Sequence, residues 1–371
     1  MRRWILAALV TGFLMCGNGA DPDSPLTLTV PEIFYAVEGV PTSLNCRSFV
    51  QVLPTDSLEV EIDCAVGQLE DEVWHLSAAE GEAGDHPITV RVARDVTGPS
   101  TSASFIVRVV PANAGDERAL SLLIVGDSLT NASRYPNTLA KLLDEPGNPA
   151  WKFMGTHHPK SAAAKVFHEG YGGWSWARFN TRYEPKDDQT GKMRTSPFVF
   201  LSEKGQPGLN VSRYFSEFHD GDVPDFVFIL LGVNDCFHAN PEDPAAIEAR
   251  IDAMMKQAEA FLASLRKAAP KAVVGIGLTP APNDREGAFV ANYGKRYTRD
   301  GWRRIQYRLV ERQLEAFSGR ESEKIFVVPT SHSVDPHLGY PHDNAVHPND
   351  AGYEAIGKNV YAWIKAMLVD R

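Results

Sequence analysis

Between residues 26 and 111 the apolar positions fall in short alternating or β-branched runs, at 26–30, 58–64, 88–93 and 105–110, punctuated by Pro, Gly, Asp and Ser clusters. Several such runs with no helical period predict a small all-β sandwich of immunoglobulin-like type. A loop-like stretch at 111–117 (PANAGDE) reads as a linker, and beyond it the pattern changes. Apolar segments unbroken by charge at 121–125, 225–231, 272–278 and 324–328 predict strands covered on both faces, as in a parallel sheet. Between them, Ile247, Ile251, Met254, Met255, Ala258, Phe261, Leu262 and Leu265 share one face of a helix over 244–268, ended by Pro270. A last helix is predicted over 351–368, with Asn349 and Asp350 as candidate caps. The second part is therefore expected to be a three-layer α/β/α sandwich with a mostly parallel sheet, whose site lies at the carboxyl ends of the strands.

One long apolar run lies outside this scheme. Arg2 and Arg3 precede residues 4–15, and Gly17, Gly19 and Ala20 follow, the order of a secretory signal peptide cut after Gly19 or Ala20. Its apolar core is too short for a stable span of a bilayer about 30 Å thick, so no transmembrane segment is expected in the mature chain. A lipoprotein reading through Cys16 is disfavoured by the bulky Met15. The expected organisation is a signal peptide at 1–20, a β-sandwich with its linker at 21–115 and a catalytic domain at 116–371, in a secreted or periplasmic protein.

Export changes the meaning of cysteine. Cys46 and Cys64 lie within one strand-rich segment and are expected to form a disulfide worth about 3 kcal/mol, the alternative being two buried thiols; Cys236 is left over. The chain carries 37 Lys+Arg against 47 Asp+Glu, a net charge of -10, which offers no basic footprint for nucleic acid. His332, His337, His342 and His347 recur every five residues, but in a Pro-rich loop with no common face, so no metal is expected.

Candidate chemistry begins where the first strand of the second domain runs into Gly126-Asp127-Ser128-Leu129. A serine at a strand-to-helix turn is presented at the sheet edge beside backbone N–H groups suited to an oxyanion. A glycine cluster at 169–174 (EGYGGW), Gly232-Val233-Asn234-Asp235 after the 225–231 strand, and His347-Pro348 before the last helix complete the pattern. In order and context these four blocks resemble the SGNH (GDSL-type) serine hydrolase superfamily, over about two thirds of the chain. The resemblance implies Ser128 as nucleophile, His347 as general base, and an oxyanion hole formed by the N–H groups of Ser128 and Gly173 and the side-chain amide of Asn234. No cofactor is implied.

One position departs from the family pattern. The aspartate usually found three residues before the histidine is replaced by Asn344, with Asp343 one step further back. Three readings stay open: a Ser-His dyad with Asn344 or a backbone carbonyl orienting the ring, a shifted triad through Asp343, and an impaired enzyme. Aromatic residues concentrate in the extra loops after the strands; Trp174, Trp176 and Trp302, with His168, are candidates for lining the substrate cleft. Export, these loops and the added β-domain together favour an acylated carbohydrate, foremost an O-acetyl ester, as substrate. A lipid or aryl acyl esterase, and a non-catalytic carbohydrate-binding or adhesion protein, are the alternatives. The oligomeric state is not readable.

Overall fold

The structure, a computed structural model, describes residues 26–51, 57–95, 98–184 and 195–369. The expected signal peptide and both candidate cleavage bonds lie outside the described residues. Strands β1 (Ile33–Val37), β2 (Thr42–Asn45), β3 (Glu59–Cys64), β4 (Gln68–Glu70), β5 (Val73–Leu76), β6 (Gly84–Ala93) and β7 (Ser100–Val110) form two sheets, ordered β1-β7-β6-β3 and β2-β5-β4. β1 runs parallel to β7, and the other pairs are antiparallel. Alternation sends Val90, Val92, Val107 and Val109 into a shared core with Phe34 and Trp74, so the first domain is a small β-sandwich.

Two expectations fail here. Residues 26–30 form a single bridge, Leu28 with Val50; the Thr29 N–H and hydroxyl bond to the Phe49 carbonyl, while the Thr29 carbonyl and the Thr27 hydroxyl meet His332 and Tyr307 of the second domain. Cys46 opens α1 (Cys46–Phe49) at the end of the three-stranded sheet, whereas Cys64 ends β3 in the other sheet, and both thiols are free. The two cysteines pack in one core without a bond, and burial pushes the Cys46 thiol up to about 12.

The second domain contains β8 (Ala119–Gly126), β9 (Ala150–Met154), β10 (Glu169–Gly170), β11 (Val199–Leu201), β12 (Pro207–Leu209), β13 (Phe226–Leu230), β14 (Val273–Gly277) and β15 (Ile325–Val328). Its main sheet runs β10-β8-β13-β14-β15 with β9 also on β8, and every pair is parallel; β11 and β12 form a separate hairpin. Short helices α2 (Ser128–Asn131), α6 (Val233–Cys236) and α10 (Thr330–Ser333) follow strand ends. One face of the sheet is covered by α4 (Trp176–Thr181), α5 (Val211–Phe218), α7 (Pro244–Ala268) and α9 (Arg299–Phe317), and α8 (Glu286–Tyr293) adds Phe289 to the same core. The other face is covered by α3 (Arg134–Leu143) and α11 (Asp350–Val369). This is the expected three-layer α/β/α sandwich. Asp243 caps α7 and Pro244 starts it, and Asn349 caps α11 by accepting from the Gly352 N–H at 3.1 Å.

A polar joint fastens the two domains. The buried Arg303 guanidinium donates from Nη2 to the carbonyls of Arg47, Ser48 and Val50 at 2.8, 3.0 and 2.7 Å, and from Nη1 to Gln306 Oε1 at 2.6 Å. Ser48 Oγ donates to the Val334 carbonyl at 2.7 Å, and His332 stacks on Phe49 with centroids 5.4 Å apart. A buried cation is tolerable only when its donors are met, which carbonyl dipoles do here.

Candidate active site

β8 ends in a turn where Asp127 caps α2, its Oδ1 accepting from the Leu129 N–H at 2.9 Å. This presents Ser128 at the carboxyl edge of the sheet. Next to it, β10 pairs with the end of β8, and the Tyr171 N–H donates to the Gly126 carbonyl at 3.1 Å, so the glycine turn lies beside the serine turn. Gly173 takes φ +75 in that turn, a conformation that disfavours side-chain-bearing residues, and both Gly172 and Gly173 are exposed. Among the described residues, the N–H groups of Ser128 and Gly173 have no acceptor.

His347 arrives from the loop before α11. Its Nε2 lies 2.9 Å from Ser128 Oγ and its Nδ1 lies 3.0 Å from Asn344 Oδ1. That oxygen also accepts the backbone N–H groups of His347 at 3.0 Å and Val346 at 3.3 Å. Backbone N–H groups can only donate, so the atom facing them is the amide oxygen, and Nδ1 must carry the ring proton. The lone pair is then on Nε2, toward the serine hydroxyl. Burial lowers the His347 pKa and favours this neutral form. Asp343 is exposed and the ring bonds its neighbour instead, which removes the geometric basis of a shifted triad.

Asn234, on α6 after β13, directs its amide Nδ2 to Asp127 Oδ2 at 3.1 Å and to the Trp174 carbonyl at 3.0 Å. The residue joins the serine turn to the glycine turn, and both of its amide hydrogens are engaged. Two largely buried carboxyls lie in these motifs, Asp127 in the serine turn and Asp235 next to Asn234. Burial pushes both Asp127 and Asp235 up to about 7, and for Asp235 the nearby Asp127 adds to the effect. Glu169 was missed. Its buried carboxylate accepts from the Thr156 N–H at 2.6 Å, Tyr214 OH at 2.8 Å and Tyr171 OH at 2.5 Å, so it anchors the approach to the glycine turn. The charged residue that opens the 169–174 block was the available signal.

The four cleft candidates are not brought to the cleft. Trp174, Trp176 and Trp302 are 4%, 1% and 3% exposed and His168 is 0% exposed, all enclosed by the packing of the long loops. Trp174 packs on Tyr171 and Phe179, Trp176 on Phe261, and Trp302 on Phe237. His168 Nε2 lies 3.0 Å from Ser133 Oγ and burial lowers its pKa to about 3, which makes it a neutral structural group. Among the described residues no cluster of His, Cys, Asp or Glu is arranged to hold a metal, and no helix is long and apolar enough to cross a membrane.

The family model described as GDSL-like Lipase/Acylhydrolase matches residues 124–355, from β8 into α11. The chain belongs to this family. Solved structures similar to this GDSL-family chain include a carbohydrate esterase family 3 protein from Talaromyces cellulolyticus, at 16% identity and TM-score 0.42 over 68% of this chain and 99% of that one. A family 3 carbohydrate esterase from Clostridium thermocellum matches at 16% identity and TM-score 0.41, over 68% and 98% of the two chains. A putative arylesterase from Agrobacterium tumefaciens matches at 19% identity and TM-score 0.39, over 67% and 99%. Among curated proteins none matches the sequence significantly.

Proposed function

We propose that this GDSL-family protein is an exported serine esterase that removes acyl groups, foremost O-acetyl, from a carbohydrate, with Ser128 as nucleophile and His347 as general base. The observation that carries the reading is the hydrogen-bonded run from Ser128 Oγ through His347 to the Asn344 amide oxygen, in which the tautomer leaves a lone pair facing the hydroxyl. The carbohydrate rests on the expected export and on the β-sandwich joined to the catalytic domain, and no longer on exposed tryptophans.

Ser128 Oγ attacks the ester carbonyl as its proton passes to His347 Nε2. The carbonyl oxygen becomes an oxyanion, met by the N–H groups of Ser128 and Gly173, each such donor contributing about 3–4 kcal/mol. Asn234 becomes a third donor by giving up its bond to the Trp174 carbonyl. On collapse the C–O bond to the sugar breaks and His347 returns the proton to the leaving oxygen. Water then attacks the acyl-serine by the same route and releases the carboxylic acid. Asn344 holds the ring throughout without supplying charge.

The test is hydrolysis of acetyl, butyryl and octanoyl p-nitrophenyl esters and of acetylated oligosaccharides by wild type and Ser128→Ala. Loss of about 10³-fold or more in kcat/KM is expected for the variant, with the highest wild-type rate on acetyl substrates. Equal rates for the two proteins would remove Ser128 from the mechanism. Rates that rise with acyl length would move the substrate to a lipid or aryl ester. Glycan binding without Ser128-dependent hydrolysis would select an adhesion role.

A further inference from the structure

The joint between the domains leaves a cleft open beside it, with a volume of about 510 Å³. That is the size of a small-molecule binding site, about 300–1,000 Å³. One wall is the outer face of the sheet β2-β5-β4, where register places Ser43 opposite His75 and both line the cleft. The other wall is the first turns of α11, with Lys358 and Glu354, and the floor is the loop carrying Asp335 and Leu338. This floor is tied to the segment of His347. Asn349, two residues beyond the histidine, donates from its N–H to the Gly339 carbonyl at 2.9 Å and from Nδ2 to the Leu338 carbonyl at 2.7 Å.

The lining says what would fit. The Ser43 hydroxyl and the His75 imidazole, which share the outer face of the sheet, offer hydrogen-bonding groups, and Leu338, 70% exposed, offers an apolar surface. Sugar rings present the same combination, hydroxyls at the edge and C–H groups on the face. Glu70, Asp71, Asp335 and Glu354 outnumber the single Lys358, which is itself paired with Glu354 at 2.7 Å. An anionic chain is therefore repelled, and a neutral one is not.

We propose that this interdomain cleft binds a neutral stretch of the sugar chain of the substrate, so that the β-sandwich supplies part of the substrate site. The proposal rests on the esterase reading above and names the side of the molecule on which the polymer lies. On this reading the sugar chain runs from the cleft floor, which Asn349 ties to the His347 segment, toward the reacting ester, whereas a small ester has no chain to place there. The β-sandwich then acts within each catalytic event and is more than a tether.

Ser43→Trp fills the cleft from the sheet side, and His75→Ala removes a polar contact with little steric risk. Both are compared with wild type on O-acetylated cellotetraose, acetylated tetragalacturonate and p-nitrophenyl acetate, after a thermal melt establishes that the variants fold. For Ser43→Trp, KM for acetylated cellotetraose is expected to rise about tenfold more than KM for p-nitrophenyl acetate, with kcat nearly unchanged. His75→Ala should move in the same direction by about threefold. Wild type should prefer the neutral tetrasaccharide to the galacturonate. Equal KM changes for the tetrasaccharide and the small ester would overturn the proposal, as would preference for the anionic chain. Calorimetric binding of unacetylated cellotetraose to wild type, weakened in Ser43→Trp, reads the cleft without any hydrolysis, so failure of the esterase reading is seen separately.

Discussion

Among the described residues, two of the serine–histidine pairs have nearly the same bonding and different surroundings. In one, Ser128 Oγ meets His347 Nε2 at 2.9 Å and Nδ1 meets the Asn344 amide oxygen at 3.0 Å. In the other, Ser331 Oγ meets His332 Nδ1 at 2.8 Å and Nε2 meets the Thr29 carbonyl at 2.6 Å. Each is a hydroxyl, a neutral imidazole and an oxygen acceptor in a row, with opposite tautomers. The second pair is sealed in the domain joint, Ser331 being 1% and His332 0% exposed. A hydrogen-bonded hydroxyl is thus only one condition for a nucleophile. Access and oxyanion donors are the others, and under the proposed mechanism the serine turn and glycine turn supply them at Ser128.

The largest expected difference is catalytic. His347→Ala should lower kcat by about 10³-fold or more while shifting the melting temperature little. His332→Ala should lose about 2–4 kcal/mol of stability, through the cavity left and the unmet Thr29 carbonyl, and keep its activity per folded molecule within about threefold. Equal losses of activity from both would erase the distinction. Next comes a core effect. Trp176→Ala should cost about 3–5 kcal/mol in denaturant unfolding with KM for acetylated sugar unchanged, since the ring packs on Phe261 away from solvent. A rise in KM at unchanged stability would return that tryptophan to the cleft.

A smaller effect follows from titration. Burial and the nearby Arg303 hold His332 at about 4, below the ordinary value of about 6.5, so the unfolded chain takes up a proton first as pH falls. The stability contribution of the neutral ring is present above about pH 6.5 and is lost as pH falls toward about 4, at most about 3 kcal/mol. His332→Gln, which retains an N–H for Thr29, should flatten this acid limb in urea midpoints between about pH 7 and about pH 4.5. An unchanged slope would mean that other groups set it.

What was legible in the sequence follows from periodicity and punctuation. The 244–268 helix appears with those bounds, because its apolar face, its starting proline and its stop are all local. The apolar strands of the parallel sheet are legible for the same reason, as is the position of Ser128 after one of them. Aromatic residues in long loops read equally well as sugar platforms or as packing, and burial, which decides between them, is a tertiary property. The 26–30 run alternates like a strand, yet its carbonyl at Thr29 accepts from His332, more than three hundred residues later. Arg303 gave no signal within a helix rich in arginine, since its acceptors are carbonyls of another domain. The Asn344 substitution was legible as a departure, but its consequence depended on which way the amide faces.

That orientation carries the smallest and most discriminating expectation. An amide in place of a carboxylate can present its N–H₂ to the ring, impose the wrong tautomer and disable the base. Here the backbone N–H groups of Val346 and His347 pin the oxygen toward Nδ1, so the tautomer is the useful one without a negative charge. Asn344→Asp preserves all three acceptor contacts and adds the charge. The carboxylate stabilises the imidazolium, so the His347 pKa should rise from its burial-lowered value. A base must be neutral to accept a proton, so the rising limb of kcat/KM should lie below about pH 6.5 in wild type and move to higher pH in the variant. Plateau activity should change by no more than about tenfold, because a stronger base gains in proton transfer while geometry is held. A limb that stays in place would show that position 344 does not couple to the ring, and a severe loss at every pH would show that the amide hydrogens of Asn344 hold something that a carboxylate cannot.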